Sequence, residues 1–110
     1  MNKLPNEIFQ KWMHSFEEDI DGIMVYRPTN YSYPLARGRD GIEFRTDGVF
    51  IDWKIGPTDA TSGINGHLEN EGSGRVRVYF EGNTGSPRII EILQIDAGIL
   101  KIRQFPDSSP

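Results

Sequence analysis

The chain has 110 residues, a formal net charge of −4 and a mean hydropathy of −0.50. That length supports one domain with a small core, and a pI of about 5.1 argues against nucleic acid or an anionic membrane as the main partner. With no cysteine, disulfides, thiolate metal sites and cysteine nucleophiles are excluded.

The opening stretch MNKLPNEIFQKW lacks the apolar run of a secretory signal, and nothing later approaches the length of a membrane span. The expectation is a cytoplasmic protein. The first predicted element is an α-helix over about residues 5–18. Leu4, Ile8, Trp12 and Phe16 recur every four positions with Phe9 and Met13 alongside, which lines up an apolar stripe on one helix face. Pro5 suits the first turn, and Asn2 and Asn6 are both candidate caps.

The stripe runs into WMHSFEED, which places His14 near Glu17 and Glu18 at i, i+3 and i, i+4. One nitrogen and two carboxylates of that spacing suit a zinc-like ion, but no third firm ligand is in sight, and the other histidine, His67, lies on a distant strand. His14 is therefore only a weak metal candidate, and no cofactor is implied. Three carboxylates at a helix C-terminus oppose the helix dipole. Two arrangements relieve the conflict. Ser15-x-x-Glu18 reads as a capping box, so that Ser15, Glu17 and Glu18 form a junction at which the helix breaks and a new turn begins. Alternatively, arginines neutralise them.

From residue 22 to 105 the period changes from four to two. Strands are predicted at Gly22–Arg27, Gly41–Thr46, Val49–Ile55, Ile64–Glu69, Arg75–Glu81, Arg88–Ile95 and Ile99–Phe105, with an eighth around Tyr33–Arg37 and a short tail at 106–110. TDGV is an Asp-Gly hairpin turn in which both central residues can take positive φ; ENEGSG, EGNTGSP and DAG are further glycine turns. Val76, Val78 and Phe80 alternate with Arg75, Arg77 and Tyr79, the pattern of an antiparallel sheet covered on one face. RIIEILQI is apolar on both faces and calls for a second cover, which the helix stripe would supply. The expected architecture is mainly β: one helix, then an antiparallel up-and-down meander of seven or eight short strands closing into a barrel without exposed edges.

In order, the helix, MVYRP, ARGRDGIEFRTDGVF, IGPTDA, GINGHLENEG and a closing LKIRQ resemble a group of small, mostly uncharacterised bacterial lipocalin-like (calycin-type) proteins. The resemblance covers roughly Trp12 to Gln104; it implies a small up-and-down barrel and no activity. Lipocalins proper carry Gly-x-Trp on the first strand, packed under an arginine of the last. Here Gly22 is followed by Ile23 and Met24, and Trp12 and Arg103 are the residues available for analogous parts.

Strands of this length span roughly 20–26 Å, and an eight-stranded barrel either fills with its own side chains or holds one small ligand. Phe44, Phe50, Trp53 and Phe80 favour a mostly filled interior with a shallow pocket at one mouth. Arg27, Arg37, Arg39 and Arg45 can form two-pronged pairs with the acidic triplet or receive a ligand carboxylate or phosphate. Tyr26, Tyr31 and Tyr33 with Trp12 can wall the opening or simply close it. Asp59 in IGPTDA fits a turn, and no partner for catalysis is visible.

No nucleophile elbow, P-loop, dinucleotide fingerprint or H-E-x-x-H is present, so an enzyme is the least favoured class. The first reading is a binding module for a small, partly apolar and anionic ligand, with Arg37, Arg39, Arg27, Trp12, Tyr26 and Tyr33 as candidate contacts. The second is a protein-interaction or regulatory domain with a filled core, binding a protein partner or a second copy of itself.

Overall fold

A computed structural model describes residues 4–34, 38–55, 61–80 and 87–106, the side chains of 55, 61 and 62 excepted. The chain runs through a 3-10 turn at Asn6–Ile8, β1 (Lys11–His14), a second 3-10 turn at Phe16–Glu18, β2 (Met24–Pro28), β3 (Gly41–Phe44), β4 (Val49–Ile55), β5 (Thr61–Gly72), β6 (Arg75–Phe80), β7 (Arg88–Asp96) and β8 (Ile99–Pro106). All eight strands form one closed barrel in the order β1-β2-β8-β7-β6-β5-β4-β3, every pairing antiparallel. From β3 to β8 it is a meander. The first two strands are exchanged in position: β1 sits between β2 and β3, so the connection from β2 to β3 passes beyond β1.

The helix expected over residues 5–18 is not there. Two 3-10 turns flank a strand instead, and Trp12 pairs with Pro28 on one side and Ile42 on the other. Backbone pairing explains the outcome. Without β1, the edges of β2 and β3 would each present unpaired N–H and C=O groups, whereas β1 satisfies both at once. A helix of that length is marginal in water, and Trp, Phe and His are among its weaker formers. The four-residue recurrence still has meaning. Leu4, Ile8 and Trp12 all pack on the core, but Phe16 is 46% exposed. The eighth strand is thus Lys11–His14. Tyr33 and Pro34 lie in irregular chain, and 35–37 fall outside the described residues.

Alternation reads correctly once the register is known. Trp12, Tyr26, Phe50, Val76, Val78, Ile90, Leu100 and Ile102 meet in one cluster, each at most 2% exposed. They fill the middle of the lumen. RIIEILQI needs no second cover, because the β7–β8 register shifts between Ile92 and Gln94. This β-bulge turns Leu93 outward, 40% exposed, and brings Ile95 to the same face as Ile90 and Ile92. At the β3–β4 hairpin only Gly48 takes positive φ (85°); Asp47 keeps negative φ and accepts the Val49 N–H on its side chain. One barrel end is closed by the first 3-10 turn, where Ile8 is fully buried and its carbonyl accepts the Trp12 indole N–H.

Candidate functional site

At the other end β1 stops at His14, and the next residues form the second 3-10 turn. All three carboxylates of the triplet are engaged there. Glu17 takes both terminal nitrogens of Arg39 at 2.8 and 2.6 Å. Glu18 takes Nε and Nη2 of Arg27 at 2.9 and 2.7 Å, and its Oε2 also accepts the Ser15 hydroxyl. Asp19 accepts the Val25 N–H and faces His14 Nε2 at 2.8 Å. The arginines hold both glutamates below the usual carboxylate range, Glu18 down to about 2. Arg39, only 8% exposed, also donates to the carbonyls of His14 and Pro34 and lies between the rings of Phe16 and Tyr33 at 4.7 Å from each. Arg39 therefore rivets the β2–β3 crossover to the turn after β1, as Arg27 fixes that turn to β2.

His14 stacks on the buried Tyr26 ring at 4.9 Å. Its Nδ1 lies 3.2 Å from Asp40 Oδ1, opposite the Asp19 contact at Nε2. Burial pushes the imidazole pKa down, but the hydrogen bonds and charges of Asp40 and Asp19 overcome it, and the net direction is up. The Asp40 carboxyl is correspondingly lowered, chiefly by its bond to His14. A doubly protonated ring satisfies both carboxylates. With both nitrogens committed, His14 has no free position from which to take a proton from a substrate.

Below this layer the lumen becomes polar. Asp52 of β4 and Arg88 of β7 meet at 2.9 Å, Arg88 also donates to Gln104 Oε1 of β8 at 2.8 Å, and Gln104 Nε2 approaches Met24 Sδ and the Tyr26 hydroxyl at 3.3 and 3.4 Å. Lys54 reaches the same Asp52 carboxylate at 3.2 Å, and the Arg88 guanidinium stands 5.0 Å from the Phe80 ring. A groove of about 290 Å³ opens beside the cluster along Pro87, Arg88, Gln104, Phe105 and Pro106. Larger grooves, about 390 and 360 Å³, flank Leu4 at the opposite, closed end, away from this chemistry.

Asp52, Arg88 and Gln104 were not among the sequence candidates, yet each sits two residues from a buried apolar neighbour, Phe50, Ile90 and Ile102, on the lumen face. A polar residue at the inward phase of an alternating strand was the available signal. The proposed contacts are dispersed. Trp12 and Tyr26 lie inside the barrel. Tyr33 stands on the crossover, sharing its hydroxyl between the carbonyls of Arg27 and Pro28, its pKa pushed up to about 12 by burial. Arg27 and Arg39 are spent on the glutamates. Arg103 is turned outward toward Glu91 at 3.8 Å, apart from the enclosed Trp12. Arg37 and Asp59 lie outside the described residues. The trio His14, Glu17 and Glu18 does not converge, and among the described residues no group of three or more His, Asp or Glu is placed to hold a metal ion.

Comparison with protein-family models, with curated proteins and with solved structures yields no match to this chain. What stands is an eight-stranded antiparallel barrel.

Proposed function

We propose that the chain is a small lipocalin-like binding module that takes a partly apolar, anionic small molecule at the mouth carrying Arg88. The observation that carries this reading is the Asp52–Arg88–Gln104 cluster above a lumen whose middle, among the described residues, is apolar. A buried ion pair contributes little net stability, since desolvation offsets its attraction, so a barrel selected for stability alone would fill these positions with apolar side chains. Arg88 shares its Asp52 partner with Lys54, so an incoming carboxylate or phosphate can replace Asp52 at the planar guanidinium while Lys54 keeps Asp52 neutralised, and Phe80 and Met24 supply apolar wall. Arg88 replaces the spent Arg39 and Arg27 as the anion contact. The lipocalin-like assignment is supported by the strand number, the antiparallel closure and the sequence pieces from MVYRP to LKIRQ.

The test uses 8-anilinonaphthalene-1-sulfonate, an apolar anion, in a fluorescence titration beside native mass spectrometry of freshly purified protein. Arg88→Met is expected to weaken probe binding about tenfold with unchanged circular dichroism. Wild-type protein that carries no small molecule and binds no probe, or a variant that binds equally well, would sink the reading.

The filled middle of the lumen favours a second reading, a protein-interaction domain. Phe16 and Ile20 are 46% and 63% exposed on the same β1–β2 connection. An even-numbered oligomer that Phe16→Ser with Ile20→Ser dissolves would establish it; a wild-type monomer would not.

A further inference from the structure

We propose that His14 is a proton-operated latch on this mouth: the doubly protonated ring ties Asp40 of the crossover to Asp19 of the β1–β2 connection, and loss of one proton releases Asp40. The geometry sets the consequence. A neutral imidazole has one N–H, while His14 faces an acceptor carboxylate at each nitrogen, at 3.2 and 2.8 Å. Without the second proton, a lone pair is turned on a carboxylate. The bond that fails is the one to Asp40. It is the longer of the two, and the Asp40 side chain is 45% exposed, so water can take its place. Asp19 keeps Nε2–H and is anchored besides by the Val25 N–H.

The charged and titratable groups around the ring come from every neighbouring element. Asp19 and Asp40 face its nitrogens, Tyr26 of β2 lies under it and the Phe16 ring meets its edge. Arg39 holds the His14 carbonyl. Lys54 acts on Asp40, and Asp52 and Arg88 act on Tyr26 from the lumen. Arg39 with Glu17 does not titrate in the neutral range, so the crossover stays riveted at that point and the release is local to Asp40. With His14 charged, three carboxylates (Asp19, Asp40, Asp52) face three cations (His14, Lys54, Arg88). Deprotonation leaves one negative charge in excess, and the freed Asp40 competes with Asp52 for Lys54. An anion at Arg88 is then held less well. This last step rests on the ligand reading above; the latch itself does not.

The ligand-free protein tests the latch. His67→Gln leaves one imidazole, whose ring nitrogens are followed by NMR from pH 5 to 9. The expected result is a ring that loses its second proton with a midpoint above 6.5, a lower midpoint in Asp40→Asn, and Gly38, Asp40 and Gly41 amides that shift with the same midpoint as the ring. A midpoint at or below 6.5, or amides indifferent to it, overturns the latch. Wild-type affinity for the anilinonaphthalene sulfonate is expected to fall several-fold from pH 6 to 9, and to stay level in Asp40→Asn. A His14 titration that moves the Asp40 amides while probe affinity stays level overturns the ligand reading and leaves the latch standing.

Discussion

Asp52 of β4 meets Arg88 of β7 at 2.9 Å across the lumen, with two strands lying between theirs around the wall. The contact joins two non-adjacent strands through the barrel interior. Asp52 is 5% exposed, so it gives up nearly all its hydration for this partner and Lys54.

That burial predicts non-additive mutational costs. Arg88→Met alone and Asp52→Leu alone each leave a charge short of a partner. Each is expected to lower unfolding free energy by about 2 kcal/mol, below the fully buried figure because Arg88 is partly exposed. The double variant should cost less than the sum. Urea unfolding of the four proteins in a cycle checks this, and strict additivity would show that the pair does not interact.

Two glycines predict the same substitution failing for different reasons. A Cβ at Gly41 would run into the Trp12 carbonyl oxygen, at the seam where β1 closes the barrel against β3. Gly41→Ala is expected to cost about 2–3 kcal/mol. At Gly48 nothing lies near a Cβ, but φ is 85°, so Gly48→Ala pays only for conformation, about 1 kcal/mol. Equal losses in thermal unfolding would contradict the seam.

The bulge in β7 predicts which isoleucine and leucine matter. Ile90 is fully buried, whereas Leu93 is 40% exposed. Ile90→Ala should cost about 2–4 kcal/mol, and Leu93→Lys should stay within about 0.5 kcal/mol of wild type. A large loss for Leu93→Lys would place that side chain under a cover.

Stability is expected to fall on both sides of a plateau. The folded pKa of His14 is raised, so its contribution is whole below 6.5 and disappears as pH rises through the folded value. Glu18 goes from 4.5 to about 2, so its contribution is whole above 4.5 and is lost as pH falls toward 2. Urea midpoints from pH 2 to 9 should peak between 4.5 and 6.5. His14→Gln should flatten the alkaline limb, and Glu18→Gln the acid limb.

Arg39 and Lys are expected not to be interchangeable. Arg39→Lys loses the two-pronged pair with Glu17 and the stacking between Phe16 and Tyr33, and its melting temperature should fall further than that of Glu17→Gln, in which Arg39 still holds the His14 and Pro34 carbonyls. The reverse order in differential scanning calorimetry would remove Arg39 from its riveting role.

By itself the sequence determined the barrel. Two-residue alternation from Val49 to Arg103, broken by Gly-Ser-Gly and Asp-Ala-Gly turns, is a local property of each strand and hairpin; it survives into β4 and β6–β8 with small changes of boundary, while the strand expected at Ile64–Glu69 extends to Thr61–Gly72. For Glu17 and Glu18 the sequence leaves two arrangements open, a capping box and arginine pairing; the structure has the arginine pairs, and Ser15 donates its hydroxyl to Glu18 instead of capping the turn. What only the tertiary structure decided is non-local. Lys11–His14 is a strand because β2 and β3, up to 32 residues downstream, offer it two edges at once; its own apolar spacing fits a helix as well. The same holds for the site. Asp40 finds His14, and Arg88 finds Asp52 and Gln104, across sequence separations of 26, 36 and 16 residues, and no spacing within one element encodes such meetings. Barrel closure brings them together, and only then do buried charges become a mouth with chemistry in it.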